Sequence, residues 1–288
     1  MENQDNKNCY LCGCKEFEHV KGIVRDNPEL KILKCKKCSL ISLDSTAHID
    51  ENFYKDGKMR YIVFCPDLWV KNAYPDDLRR YEFLKNKIKD KVLVDFGCGA
   101  GGFLNLSQNI CKSVYGVELE ERLRLYHNER GIKTYSLISE VEEEADYITL
   151  FHVLEHLQDP VGLLAGLKDS LKDKKSEIII EVPNGDDALI TLYKSEAFSK
   201  YTWWSCHLYT FNRKSLKKLV KKAGYKVNYI KNVQRYGIFN HLYWIFKGLP
   251  GGHLKYEHIK LPLLEWLYEK FLDFTGKTDT LMISISPK

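Results

Sequence analysis

From about residue 90 onward, short apolar runs alternate with stretches whose apolar residues recur at helical spacing. "VLVDFGCGAGGFL" (92–104) reads as a buried strand, a glycine turn and a helix start. Val114 to Val117 predicts a second strand ending in Glu118, and a helix follows from about Glu120 to Arg130, closed by Gly131. Ile132 to Tyr135 predicts a short third strand, Tyr147 to Phe151 a fourth leading into a helix, and "SEIIIEVPN" a fifth. Such alternation means a parallel α/β sheet with ligands at the carboxyl ends of its strands. In "FNRKSLKKLVKKAGY", Asn212 is placed as N-cap, Phe211 and Leu216 as a hydrophobic staple, and Gly224 as the stop. Leu216, Leu219, Val220 and Ala223 form its apolar stripe.

Two further segments change character. Residues 45–89 predict a helical connector, with apolar spacing at Leu78, Tyr81, Leu84 and Ile88, that can fold over a neighbouring site. Tyr54, Arg60 and Tyr61 are ligand candidates there, with plain packing and surface charge the simpler reading. Residues 236–275 are rich in Trp, Phe and Tyr and are broken by "GLPGGH". The segment is too long for a plain loop. A lid or a homodimer surface is favoured over a helical pair making peripheral contact with a membrane.

The 288 residues are 44% hydrophobic and 29% charged, which permits a sizeable core and excludes wholesale disorder. The net charge of +5 is spread along the chain and does not by itself call for nucleic acid. Lys217, Lys218, Lys221 and Lys222 read first as a solvated helix face. The polar N-terminus lacks an apolar leader and no apolar run of about 18 residues appears, so a cytoplasmic protein is expected. In a reducing compartment the nine cysteines are thiols or metal ligands. Cys9 and Cys12 form one C-x-x-C and Cys35 and Cys38 another, with 22 residues between the pairs. That spacing predicts a four-thiolate zinc ribbon over residues 1–44. Four cysteines leave no open coordination position, so the zinc is structural.

The glycine turn fits G-x-G-x-x-G at Gly97, Gly99 and Gly102, yet Asp95 precedes it by two residues. A carboxylate opposes a pyrophosphate by roughly 4 kcal/mol at about 4 Å and an effective dielectric near 20, and favours an ammonium by a similar amount. S-adenosylmethionine carries that ammonium, a ribose and no phosphate. Glu118, 23 residues after Asp95, is placed for ribose hydroxyls.

On these residues the chain resembles the class I S-adenosylmethionine-dependent methyltransferases. "VDFGCGAGG" is similar to their first motif and "YGVELEE" to their second-strand acid. "YITLFHVLEHLQDP" resembles their segment after strand four, "HLYTFNRKSLKKLVKKAGYKV" their late helix and sixth strand, and "TDTLMISISPK" their last strand. The resemblance covers about 90–288 and implies a Rossmann-like seven-stranded sheet with helices on both faces, with the 236–275 segment as a helical insertion. It implies that Asp95, Gly97, Cys98, Gly99 and Gly101 line the methionine end, that Glu118 holds the ribose and Leu119 packs on adenine, and that His152 lies beside the cofactor. The adenine-amine partner is expected near Leu137 to Ser139, which lacks the usual acid. A ribbon ahead of such a domain also resembles bacterial methyltransferases of nucleotide-linked sugars and surface glycans.

Methyl transfer requires a positioned acceptor and often a base of near-neutral pKa, hence histidine. His207, in "TWWSCHLYTF", and His152 are the catalytic candidates, followed by His156. A catalytic metal on Glu155, His156 and His207 resembles the small-RNA 3′-end methyltransferases, but His152 stands where those have a glutamate. The expected acceptor is a small polar molecule, first a sugar derivative. The rivals are an RNA methyltransferase gripping phosphates with the ribbon and basic helix, and a non-catalytic module that only binds the cofactor.

Overall fold

The computed structural model describes residues 8–49, 52–55 and 64–288; the ligand candidates Arg60 and Tyr61 lie outside them. The N-terminal strands are β1 (Phe17–His19), β2 (Ile32–Cys35) and β3 (Ile41–Leu43). They are followed by α1 (Asn52–Lys55), α2 (Pro66–Ile88), β4 (Val92–Phe96), α3 (Gly102–Ser107), β5 (Ser113–Val117), α4 (Glu121–Asn128), β6 (Thr134–Tyr135) and β7 (Tyr147–Phe151). Next come α5 (Pro160–Gly166), β8 (Glu177–Pro183), α6 (Ala188–Thr191), α7 (Glu196–Ser199), β9 (Tyr209–Thr210), α8 (Arg213–Lys222) and β10 (Tyr225–Val233). The chain closes with α9 (Ile238–Lys247), α10 (Gly252–Lys255), α11 (Pro262–Thr275) and β11 (Thr280–Pro287).

Seven strands form one sheet in the order β10-β11-β8-β7-β4-β5-β6. It is parallel except for β11, which runs antiparallel between β8 and β10. This is the Rossmann-like methyltransferase fold the motifs imply. Helices cover both faces, so the central strands read as unbroken apolar runs: Ile178, Ile179 and Ile180 of β8 are all fully buried. After β4 the chain steps to β5 and β6 on one side and then crosses back to β7 on the other, which opens the ligand crevice at the carboxyl ends of β4 and β7.

The cysteine-rich segment is not a free-standing unit. β1, β2 and β3 form an antiparallel sheet whose fourth strand is β9, with Ile41 opposite Thr210 and Ser42 opposite Tyr209. The extended stretch expected from "FEHVKGIVRD" shrinks to β1, because turns at 21–22 and 25–26 and then Pro28 interrupt it. The helix expected directly after β7 is a single 3-10 turn, Leu154–His156, and α5 begins only at Pro160 with Asp159 as its cap. Asn212 caps α8 by accepting a hydrogen bond from Ser215 N at 2.9 Å, and the expected stripe is buried. In the 236–275 segment, α9 and α10 turn residues inward, whereas Leu272 alone is buried in α11. Phe246 and Phe274 are 76% and 93% exposed.

Candidate active site

The turn after β4 is built for close approach. Gly97 and Gly101 have φ of +72° and +74°, a region that favours glycine. A Cβ at Gly97 would lie 2.6 Å from Val153 Cγ2, and one at Gly101 would strike the His127 ring. His127, fully buried, bonds the Gly99 carbonyl at 2.8 Å and pins the turn from below. Glu118 Oε2 accepts from Gly99 N at 2.9 Å and its Oε1 from Glu120 N at 3.0 Å, tying the ends of β4 and β5 together. Leu119 is exposed beside it. Asp95 is only 4% exposed and accepts from Thr149 Oγ1 at 2.7 Å. Burial, reinforced by the Asp77 carboxylate, pushes its carboxyl up to about 7 despite that bond. Burial also holds the Cys98 thiol protonated. Asp95, Gly97, Cys98, Gly99, Gly101 and Glu118 therefore cluster at the carboxyl ends of β4 and β5.

Sequence reasoning missed the polar wall over this crevice. α2 contributes Asp76, Asp77, Arg79 and Arg80 in the "DDLRR" stretch, one helical turn apart in opposite-charge pairs. Both guanidiniums point at Glu181 of β8, which is 0% exposed. Glu181 accepts from Arg79 at 2.9 and 3.0 Å and from Arg80 at 2.6 and 3.1 Å. Burial alone would raise the Glu181 carboxyl; Arg80, His152 and Arg79 overcome it and hold it well below the usual range. Arg235, after β10, pairs with Asp76 at 2.8 Å. The signal was present as two acids and two bases one turn apart in the α2 segment, and as an acid inside the apolar run of β8.

His152 follows β7 directly with φ +56°, a conformation costly for a β-carbon residue. Its Nδ1 lies 3.1 Å from Glu155 Oε1 and its Nε2 3.4 Å from Glu181 Oε1 and 3.5 Å from Arg235 Nη1. Burial would lower its pKa, but the bonds to Glu155 and Glu181 raise it. Tyr54, the described member of the connector's candidates, donates to the His156 carbonyl at 3.1 Å.

Beyond Arg235 lies a cavity of about 350 Å³. Its walls include Tyr201, Trp203, Trp204, His207, Asp187 and Asp279, and α9 and α10 supply Asn240, Trp244 and His253. The His207 ring packs 4.8 Å from that of His156 and 5.8 Å from Trp204. Burial, with the adjacent His156, pushes His207 down to about 3. His207 thus lines the cavity beside aromatic residues, and burial holds it below the near-neutral range expected from its residue type. Burial and the neighbouring Asp279 push Asp187 up to about 8. Asp279 Oδ2 accepts from the Arg235 and Tyr236 backbones, and its buried Oδ1 has no partner among the described residues.

Cys9 Sγ lies 3.4 Å from Cys38 Sγ and Cys12 Sγ 3.5 Å from Cys35 Sγ, all four sulfurs within 4.8 Å of one another. A tetrahedral zinc bound at about 2.3 Å to sulfur fits that set, with no position left for substrate. His156, Cys206 and His207 also gather within 4.8 Å, but Glu155 turns one oxygen to His152 and His156 Nδ1 bonds the Cys206 carbonyl at 2.9 Å.

Among known proteins, a 109-residue alignment at 33% identity links the chain to a ubiquinone biosynthesis O-methyltransferase of Hydrogenovibrio crunogenus. It covers 32% of this chain and 44% of that protein, so the similarity spans less than half of the relative's length. Among solved structures, a S-adenosylmethionine-dependent methyltransferase from Archaeoglobus fulgidus aligns with 77% of this chain and 94% of its own at 17% identity, TM-score 0.48. Magnesium protoporphyrin IX methyltransferase from Synechocystis with bound S-adenosylhomocysteine aligns with 85% and 100% of the two chains at 11% identity, TM-score 0.48. A family profile described as a methyltransferase domain matches residues 68–230, from α2 to β10. The chain belongs to that methyltransferase-domain family.

Proposed function

We propose that the enzyme methylates a small polyhydroxylated acceptor, first a nucleotide-linked or surface-glycan sugar. The observation that carries this reading is the cavity beside the His152–Arg235 contact. Flat aromatic walls at Trp203, Trp204 and Tyr201 suit the C–H faces of a sugar ring. The carboxyls of Asp187 and Asp279 suit its hydroxyls. S-adenosylmethionine supplies an already activated methyl group. Asp95 and the glycine turn hold its methionine end, Glu118 its ribose, and Leu119 its adenine. Arg79 and Arg80, fixed by Glu181, close the crevice from above and exclude water. His207, neutral, accepts a hydrogen bond from the acceptor hydroxyl and orients it. His152, with both ring nitrogens engaged by the protein, positions the Glu155 and Arg235 side chains. Cys9, Cys12, Cys35 and Cys38 would hold a structural zinc ion, which would serve to fix the ribbon's shape. Lys214 and Lys222 of α8 donate to the Lys37 and Tyr10 carbonyls of the ribbon, which supports a docking role for that helix over an RNA grip.

The name of the curated relative favours a second reading, a quinone-type phenol, helped by the exposed apolar side of α11. Purified protein incubated with S-adenosylmethionine and separate panels of nucleotide sugars, phenols and RNA decides between them. Formation of S-adenosylhomocysteine with a sugar that gains one methyl mass is expected. Turnover confined to phenols or RNA refutes the sugar reading, and tight cofactor binding without turnover on any panel supports the non-catalytic rival. Comparing nucleotide-sugar and glycan pools of cells with and without the gene identifies the acceptor.

A further inference from the structure

Arg25 belongs to the zinc ribbon, yet it lines the acceptor cavity. The ribbon is joined to the cavity loop at several points. Arg25 N donates to the Trp203 carbonyl at 3.0 Å. Asp26 accepts from Ser205 N at 2.9 Å and Ser205 Oγ at 2.7 Å. His48 Nε2 lies 2.8 Å from the Ser205 carbonyl, and β3 pairs with β9 immediately beyond. These contacts fix the backbone at Arg25 relative to the cavity.

The side chain is fixed as well. Its guanidinium carbon lies 4.4 Å from the Trp204 ring centroid and 4.9 Å from that of Tyr201. Stacking of this kind orients the guanidinium fork without consuming its N–H donors. The residue is exposed, which places it at the rim. Among the described residues the guanidinium donates no hydrogen bond and faces no carboxylate within ion-pair distance. Arg235, the other guanidinium in the wall, is bound to Asp76 and Tyr236. His207 and His241 are neutral, since burial pushes them down to about 3 and about 4. The cavity therefore has a free, oriented cation at its rim and two carboxyls in its wall, Asp187 and Asp279.

Resting on the sugar reading above, we propose that Arg25 anchors a phosphate group of the acceptor, so that the substrate is a phosphate-bearing sugar and the zinc ribbon is part of its binding site. The fork matches phosphate oxygens bidentately. The wall carboxyls of Asp187 and Asp279 are left to bond the hydroxyls of the other end. A nucleoside diphosphate and a lipid diphosphate share this chemistry, and the test separates them.

Zinc-loaded full-length protein saturated with S-adenosylhomocysteine is titrated with inorganic pyrophosphate, UDP-glucose, a short-chain polyprenyl diphosphate glucose in detergent, and neutral methyl glucoside. The expected result is binding of pyrophosphate and of one diphosphate-linked sugar, which identifies the source. Kd for both should rise about tenfold to hundredfold in Arg25→Ala. Arg25→Lys should restore it only in part, because an ammonium lacks the fork. Zinc content, melting temperature and S-adenosylhomocysteine affinity should match the wild type in both variants. The proposal is overturned if phosphate-bearing probes bind wild type and Arg25→Ala alike, if none binds the folded wild type, or if methyl glucoside binds as tightly as its diphosphate forms. Sugar methylation with a KM indifferent to Arg25 removes the anchor and leaves the sugar reading standing. Arg25-dependent phosphate binding without methylation of any sugar keeps the anchor and removes that reading.

Discussion

Replacing Glu181 with Gln tests the charge network that roofs the cofactor crevice. Three guanidiniums, Arg79, Arg80 and Arg235, face three carboxylates, Asp76, Asp77 and Glu181, in a largely buried cluster. Gln keeps the shape of the side chain but removes one charge, leaving three cations to two anions, and turns an amide N–H₂ toward guanidinium donors. Breaking a buried pair in this way costs about 3–5 kcal/mol. Asp77 and Asp76 still hold Arg80 and Arg79, so the low end, about 3 kcal/mol, is expected. For a chain of this size that corresponds to a melting temperature lower by about 5 °C. Denaturant unfolding followed by tryptophan fluorescence measures it. Glu181 has a folded pKa well below its ordinary 4.5, so its contribution is complete above that pH and is lost as pH falls below it. The gap between wild type and Glu181→Gln should therefore narrow on acidification below about pH 4.5. A difference under about 1 kcal/mol at pH 7, or a gap independent of pH, would show that the cluster is as well solvated as a surface pair and contributes little.

Two further outcomes follow from the same geometry. Cys38→Ser should lower bound zinc from about one per chain by elemental analysis, cut methyl-acceptor turnover through loss of the cavity's ribbon wall, and leave S-adenosylhomocysteine affinity within a few-fold; equal loss of cofactor binding would refute the division of labour. Asp95, raised to about 7 by burial, should ionise when a cationic amine binds near it. Calorimetric enthalpies of S-adenosylmethionine binding at pH 7 should then differ between buffers of different ionisation enthalpy, and Asp95→Asn should abolish the difference.

The parts of this fold that were legible are those coded locally. The apolar run and glycine turn of 92–104, the acid at Glu118, the caps of α8 and the paired C-x-x-C motifs each need only neighbouring residues to make sense. The parts that were not legible depend on residues far apart in sequence. β9 is two residues long and has no periodicity of its own; it exists because β3, more than 160 positions earlier, supplies its ladder. The polar wall is split among α2, β8 and the turn after β10, so no window of the sequence contains both Glu181 and its guanidiniums. Its traces were visible, since a charge inside an apolar run is rarely buried without a partner, but the partner's identity is a tertiary fact.

The same limit decides which group takes the acceptor's proton. Residue type alone selects histidine, whose ordinary pKa lies nearest neutrality. In the folded chain burial sets a different order, and we propose Asp187 as the base. His207 is pushed to about 3 and is a poor base, while burial and Asp279 bring Asp187 to about 8 in the same cavity. A carboxyl so raised keeps its proton at low pH and becomes a competent base only as pH approaches 8. On this reasoning kcat/KM of the wild type rises with pH to a plateau above about 8. Asp187→Asn removes that limb and lowers the plateau by roughly a hundredfold or more. It keeps the oxygen that accepts from Leu189 N at the start of α6, so the fold is retained. His207→Ala lowers the plateau through lost orientation without moving the limb, because a group already neutral above about 3 contributes no titration in that range. A limb near pH 6.5 that disappears in His207→Ala and persists in Asp187→Asn would reverse the assignment and return the proton to the imidazole.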